Sequence, residues 1–180
     1  MERTKRRKEE LNERVKNEAL QFQVSWGVKT LGIEVAEEVR TRIDDELRIL
    51  KNLGLADNLL SLKEIVEGVK RDLNAVPEPF DGNLSGSLVA YTLGITLGNP
   101  LDRNLLMPVS SYTLPMQVSL RYDNSIRNQV VEWIKSHGYK EVKTRLGQPI
   151  LKMDKMVVEF KRLGKIIIFI TSFHLDEGRR

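Results

Sequence analysis

Cysteine is absent from this chain of 180 residues, and histidine occurs only twice, at His137 and His174. Without a thiol there is no disulfide framework, no cysteine nucleophile, no zinc knuckle and no iron–sulfur cluster. Two histidines are also scant material for metal or triad chemistry. Long apolar runs are missing too. Nothing approaches the roughly 18 residues of a membrane span, and the N-terminus lacks the apolar core of a secretory signal. The expectation is a soluble cytoplasmic protein with no membrane partner. Present instead are 41% hydrophobic and 30% charged residues, enough to bury a core without metal or disulfide staples. The length suits one compact domain, or one with a short appendage.

The net charge of +4 is unevenly spread. Residues 1–40 carry nine basic and eight acidic side chains, residues 41–120 seven and ten, and residues 121–180 thirteen and seven. The last third is therefore basic, and Arg3, Lys5, Arg6, Arg7 and Lys8 form a second cluster at the start. Such clusters neutralise phosphates, although they also arise as ordinary solvated surface.

Periodicity divides the chain into a basic N-terminal helix or arm over 1–30 and a larger domain over 31–180. Leu11, Val15, Ala19 and Phe22 recur at helical spacing, and Ser25-Trp26-Gly27 predicts the end of that first helix. A second helix is expected over 35–52 from the stripe Ala36, Val39, Ile43, Leu47 and Leu50, with Gly54 as its left-handed cap. Ser61 and Glu64 have capping-box spacing near the start of a third, over about 58–73. After a Pro- and Gly-rich loop, Asn83 is placed to cap a short apolar helix, Leu84 to Leu93, stopped by Gly94. Val118, Leu120 and Tyr122 alternate with Gln117, Ser119 and Arg121, the period of a half-buried strand. Ser125 then opens a helix that ends at Gly138. Strands are expected over 139–145, 156–161 and 165–172, the last carrying the apolar run Ile166 to Ile170 suited to a central position. The class is α+β: helices first, then a small, mainly antiparallel sheet.

Two segments go beyond fold class. Arg42-Ile43-Asp44-Asp45-Glu46-Leu47-Arg48-Ile49-Leu50-Lys51-Asn52-Leu53-Gly54 resembles the helix entering the palm of the bacterial replicative DNA polymerase III alpha subunit. Gly86-Ser87-Leu88-Val89-Ala90-Tyr91-Thr92-Leu93-Gly94-Ile95-Thr96 is similar to that family's phosphate-loop helix almost residue for residue, and Asn99-Pro100-Leu101-Asp102 resembles the turn that follows. The resemblance spans about residues 34–134 and continues more weakly through 155–170. It implies a nucleotidyltransferase-type, polymerase beta-like palm, stripped of the family's fingers, thumb and N-terminal phosphoesterase-like domain.

Within that family, a Gly-Ser at a helix start holds triphosphate oxygens, and three strand carboxylates hold two magnesium ions. Ungapped matching places Gly82, Asn83, Gly86 and Ser87 on the phosphate loop, with Asp81 where the family has arginine. The first carboxylate positions fall on Gln117, Ser119 and Arg121, and the remaining one on Lys161. Amide and hydroxyl oxygens are poor magnesium ligands, and a fixed cation opposes the ion directly. The resemblance thus implies magnesium while its ligands are missing, leaving no catalytic residue, metal site or cofactor.

Three functional expectations follow. The first is a catalytically inactive palm that binds nucleic acid or scaffolds near DNA or a replication protein, using Arg3, Lys5, Arg6, Arg7, Lys8, Arg121, Lys161, Arg162 and Lys165. The second is a divergent or split nucleotidyltransferase with a rearranged metal site at Asp123, Asp154 and Glu159. The third is a purely structural interaction subunit, with Leu59/Leu60 or the 11–22 stripe as an exposed apolar face. His137 reads as a helix-end residue, His174 with Asp176 and Glu177 as a polar tail, and Trp26, Trp133, Phe160 and Phe169 as core.

Overall fold

In the computed structural model, residues 2–78, 84–105, 114–143 and 147–162 are described. Among these described residues five helices, α1 (Glu2–Thr30), α2 (Glu37–Asn52), α3 (Ala56–Leu73), α4 (Leu88–Thr92) and α5 (Arg127–Ser136), accompany four strands. These are β1 (Met116–Tyr122), β2 (Glu141–Lys143), β3 (Pro149–Lys152) and β4 (Met156–Arg162). They form one mixed sheet in the order β1-β4-β3-β2. The α+β class expected from the order of periodicities is the observed one.

Helix α1 does not stop at Ser25-Trp26-Gly27, because Gly27 is a point of contact. A Cβ there would lie 1.9 Å from the backbone oxygen of Thr92, so the bare backbone is what lets α1 cross α4 at close range. The inward face is Leu20, Val24 and Gly27, all buried, at i, i+4 and i+7. Leu11, Val15, Phe22 and Trp26 point to solvent. The expected placement of Trp26 in the core is therefore wrong: it lies on the face opposite the one that packs on α3 and α4.

Helix α2 ends as its sequence predicts. Gly54 takes φ +65°, and the N–H groups of Gly54 and Leu55 return to the carbonyls of Lys51 and Leu50 at 2.9 and 3.0 Å, a Schellman closure. Helix α3 starts at Ala56, so Ser61 and Glu64 lie inside it and form no capping box. Leu59 is fully buried and Leu60 partly so, which removes that pair as an exposed interaction face. Two further caps differ from expectation. Ser87, not Asn83, caps α4, its Oγ accepting from the Ala90 N–H at 3.0 Å. Ser125 does not cap α5, since its N–H and hydroxyl both turn back to Asp123 Oδ1.

The sheet is antiparallel through β2, β3 and β4, but β1 pairs with β4 in parallel. Chain entering β4 has already passed through α5 and the β2–β3 hairpin, and that crossover brings it back in the direction of β1. Pro149 is the first residue of β3, a position suited to a residue without an N–H. Met116, Val118, Leu120 and Tyr122 of β1, with Met156, Val158 and Phe160 of β4, face the helices and are buried. The intervening residues form the opposite face, where Gln117 and Lys161 are exposed and Ser119, Arg121, Val157 and Glu159 are half-buried. The strand expected over 165–172, with Phe169 and His174 beyond or within it, lies outside the described residues.

Candidate functional site

Two places in the structure correspond to the predicted chemistry: the turn leading into α4, and the polar face of β1 and β4.

At the α4 turn, Gly86 and Ser87 are described, whereas Gly82 and Asn83 lie outside the described residues. Ser87 is fully buried and already engaged. Its Oγ donates to Glu46 Oε2 at 2.8 Å, while the N–H groups of Leu88 and Val89 donate to the same carboxylate at 3.0 and 2.9 Å. Glu46 is only 3% exposed. Its charge is balanced by Arg42, one turn earlier on α2, whose Nε donates to Glu46 Oε1 at 3.2 Å. A second arm of Arg42 donates to the Gly86 carbonyl at 2.7 Å and to the Leu105 carbonyl. The donors that open α4 are thus satisfied by a carboxylate from within the chain. An anion at a helix start stabilises it through both the orphan N–H groups and the dipole; here that anion is Glu46. Arg42 and Glu46 are not among the residues expected to matter. The signal was present, since Glu46 stands between Ile43 and Leu50 on the buried stripe of α2, where an acidic residue is costly unless paired.

On the polar sheet face, the parallel register pairs Ser119 with Glu159 and Arg121 with Lys161. Neighbouring strands run about 4.8 Å apart, so Gln117, Ser119, Arg121, Glu159 and Lys161 share one patch. Lys161 Nζ lies 3.4 Å from Glu159 Oε2, and both side chains are substantially exposed. The two cationic positions singled out separately in the sequence are therefore adjacent. This donor set does not fit magnesium. Each fixed cation at about 4 Å opposes a dication by about 2 kcal/mol even in water, and the nearby carboxylate is occupied by Lys161.

Nor does a substitute carboxylate set assemble. Asp123 follows the C-terminal end of β1, and Asp154 precedes the start of β4. Because the two strands are parallel, these residues stand at opposite ends of the sheet, about 20 Å apart along a seven-residue strand. Ser125 holds Asp123 locally through its hydroxyl and its N–H, which keep that carboxyl below the usual carboxylate range. Among the described residues no three acidic or imidazole groups converge.

The basic residues fall into two sets. Lys5, Arg6, Arg7 and Lys8 are exposed on the first turns of α1, with Arg6 paired to Glu10 at 3.0 Å. Further along α1, Glu13, Lys16 and Asn17 flank Asp154 and Lys155 at the β3–β4 turn, the end of the sheet away from Arg121 and Lys161. Arg3 is on α1 and Arg162 closes β4; their side chains and the whole of Lys165 lie outside what is described. His137 terminates α5, stacked on Trp133 with ring centroids 3.8 Å apart.

The chain is thus an α+β domain in which a Gly-Ser turn precedes a short buried helix and a mixed sheet packs on the helices. The comparison of sequences is more specific. The model of the bacterial DNA polymerase III alpha NTPase domain matches residues 5–110, well over half the chain, and the chain belongs to that family. DNA polymerase III subunit alpha of Buchnera aphidicola subsp. Schizaphis graminum is 32% identical over 104 residues, covering 58% of this chain and 9% of that protein. The subunit of Staphylococcus aureus strain Mu50 is 27% identical over 97 residues, 52% of this chain and 9% of its own length. The matched stretch is thus under a tenth of either relative. The family match ends before β1 and covers Arg42, Glu46 and the α4 turn. No helix of the described residues is long and apolar enough to cross a membrane.

Proposed function

We propose that this chain is a catalytically silent palm domain of the polymerase III alpha family. It serves DNA replication or repair as a scaffold that engages nucleic-acid phosphates instead of transferring nucleotides. The observation that carries this reading is the parallel register of β1 and β4, which sets Arg121 beside Lys161 on the sheet face turned away from the core. The resemblance gives those positions to metal-binding carboxylates. Arginine and lysine cannot take a proton from a primer hydroxyl near neutral pH, but side by side they suit a phosphate backbone. The Glu46 carboxylate supports the same reading, because it occupies the donors through which a triphosphate would be held.

A titration of labelled single-stranded and duplex DNA by fluorescence anisotropy, across a range of salt concentrations, tests this. Binding is expected to weaken linearly in logarithmic salt. The Arg121→Ala, Lys161→Ala double variant should lower the slope by about two, one for each phosphate that is no longer neutralised. Absence of binding at low ionic strength overturns the nucleic-acid reading. Magnesium-dependent nucleotide incorporation by the chain overturns the silent one.

A further inference from the structure

Helix α1 carries an apolar stripe that nothing among the described residues covers. Leu11, Val15, Phe22 and Trp26 are 61%, 54%, 65% and 59% exposed, and Ala19 between them is exposed as well. At 100° per residue these five positions fall within one quarter of the helix circumference. The buried side, Leu20, Val24 and Gly27, faces the other way. An aromatic-rich stripe of this kind leaves bare on the order of 500 Å², the range of the largest patches on monomeric proteins, which mark interaction sites.

The geometry points to a second copy of this chain as the occupant, its α1 lying antiparallel across the first in a two-fold pair. The spacing of the stripe is self-complementary. A two-fold axis between residues 18 and 19 sets Leu11 against Trp26 of the other copy and Val15 against Phe22, with the small Ala19 at the crossing, where helix backbones approach most closely. Charge selects the direction. Lys5, Arg6, Arg7 and Lys8 occupy the N-terminal end of α1, while exposed Glu34, Glu37 and Glu38 follow its C-terminal end. A parallel pair would stack the two cationic ends on each other. An antiparallel pair brings each cationic end to the acidic start of the other copy's α2, which runs antiparallel to α1 with a groove between Glu10–Gln21 and Asp44–Lys51. Two such stripes face to face remove on the order of 1,000 Å² from water, the threshold for a specific interface. This surface is separate from the Arg121–Lys161 face, so the proposal does not depend on nucleic-acid binding.

Sedimentation velocity of the full chain over micromolar to near-millimolar concentrations, with Phe22→Glu and Trp26→Glu beside wild type, tests it. Both side chains are exposed, so the variants keep their helical circular dichroism. Wild type is expected to dimerise, and each variant to weaken dimerisation by about thirtyfold or more, as central aromatic anchors do. Phe22→Leu retains the dimer. The chain has no cysteine, so single replacements report direction. Ala19→Cys should oxidise to a covalent dimer, while Leu11→Cys crosslinks only when mixed with Trp26→Cys. A wild type that stays monomeric throughout overturns the proposal. So does a dimer indifferent to both glutamates, a Leu11→Cys that crosslinks to itself, or a monomer that uses the stripe to bind anionic vesicles.

Discussion

Replacing Glu46 by alanine is the sharpest test of how the α4 turn is built. The carboxylate is 3% exposed and accepts three hydrogen bonds, from the Ser87 hydroxyl and the Leu88 and Val89 N–H groups, besides its bond from Arg42. Removing it leaves those donors unsatisfied in the interior and leaves the Arg42 guanidinium, already largely buried, without its counter-charge. Breaking a buried ion pair from one side costs about 3–5 kcal/mol, against a total stability of about 5–15 kcal/mol for a domain. Glu46→Gln keeps the shape and an acceptor but removes the charge. Its cost is about 1.5–3 kcal/mol, the range of a charge-assisted hydrogen bond. Urea unfolding followed by circular dichroism measures both, and the midpoint should fall in the order wild type, Gln, Ala with m unchanged. Arg42→Ala should cost a similar amount, and the double variant less than the sum of the two singles, because each first replacement already breaks the shared pair. A destabilisation below about 1 kcal/mol for Glu46→Ala, or strict additivity with Arg42→Ala, would refute a coupled Arg42–Glu46–Ser87 network.

Gly27→Ala should destabilise the chain by at least about 1–3 kcal/mol, since the added methyl meets backbone at Thr92 that cannot turn aside. A thermal melt should show a drop of about 2–4 °C for each kcal/mol at this chain length, and no drop would mean that α1 and α4 do not cross there. Gly68→Ala is expected to behave alike, because its Cβ would fall 2.5 Å from the rigid indole of Trp133. Asp72 is bound by Arg71 and then by the Trp133 indole N–H, which hold its carboxyl down at about 2. A carboxyl lowered on folding adds stability that is present above its unfolded value near 4 and is lost as pH falls through about 2. Asp72→Asn should therefore flatten the acid limb of stability between those values, and an unchanged limb would count against the pairing.

Much of this fold is legible in local sequence. The 3.6 and 2.0 periodicities mark α2, α3, α5 and β1, and Gly54, Gly94 and Gly138 stand at the chain reversals, each with positive φ. Boundaries are harder to read where a residue type has two uses. Gly27 looks like a breaker and is instead a crossing point, and Ser61 looks like a cap but sits within α3. The candidate site is legible as residue types at spacings: a Gly-Ser before an apolar run, and a strand whose polar side carries Gln117, Ser119 and Arg121. That Glu46 answers the Gly-Ser turn is not legible, because Glu46 and Ser87 are 41 residues apart and no local rule joins them.

Local sequence settles which stretches coil or extend, because each residue's torsions and side-chain period depend on near neighbours. It also settles the family, through residues 5–110. Which apolar face of α1 is covered is a matter of tertiary packing alone, since periodicity reveals that a face exists and says nothing of what packs on it. Leu20 and Val24 went inward, and Phe22 and Trp26 were left outside. In the same way, parallel pairing of β1 with β4 placed Arg121 next to Lys161. That neighbourhood arises from strand order and register, which are fixed by long-range burial of one sheet face against the helices.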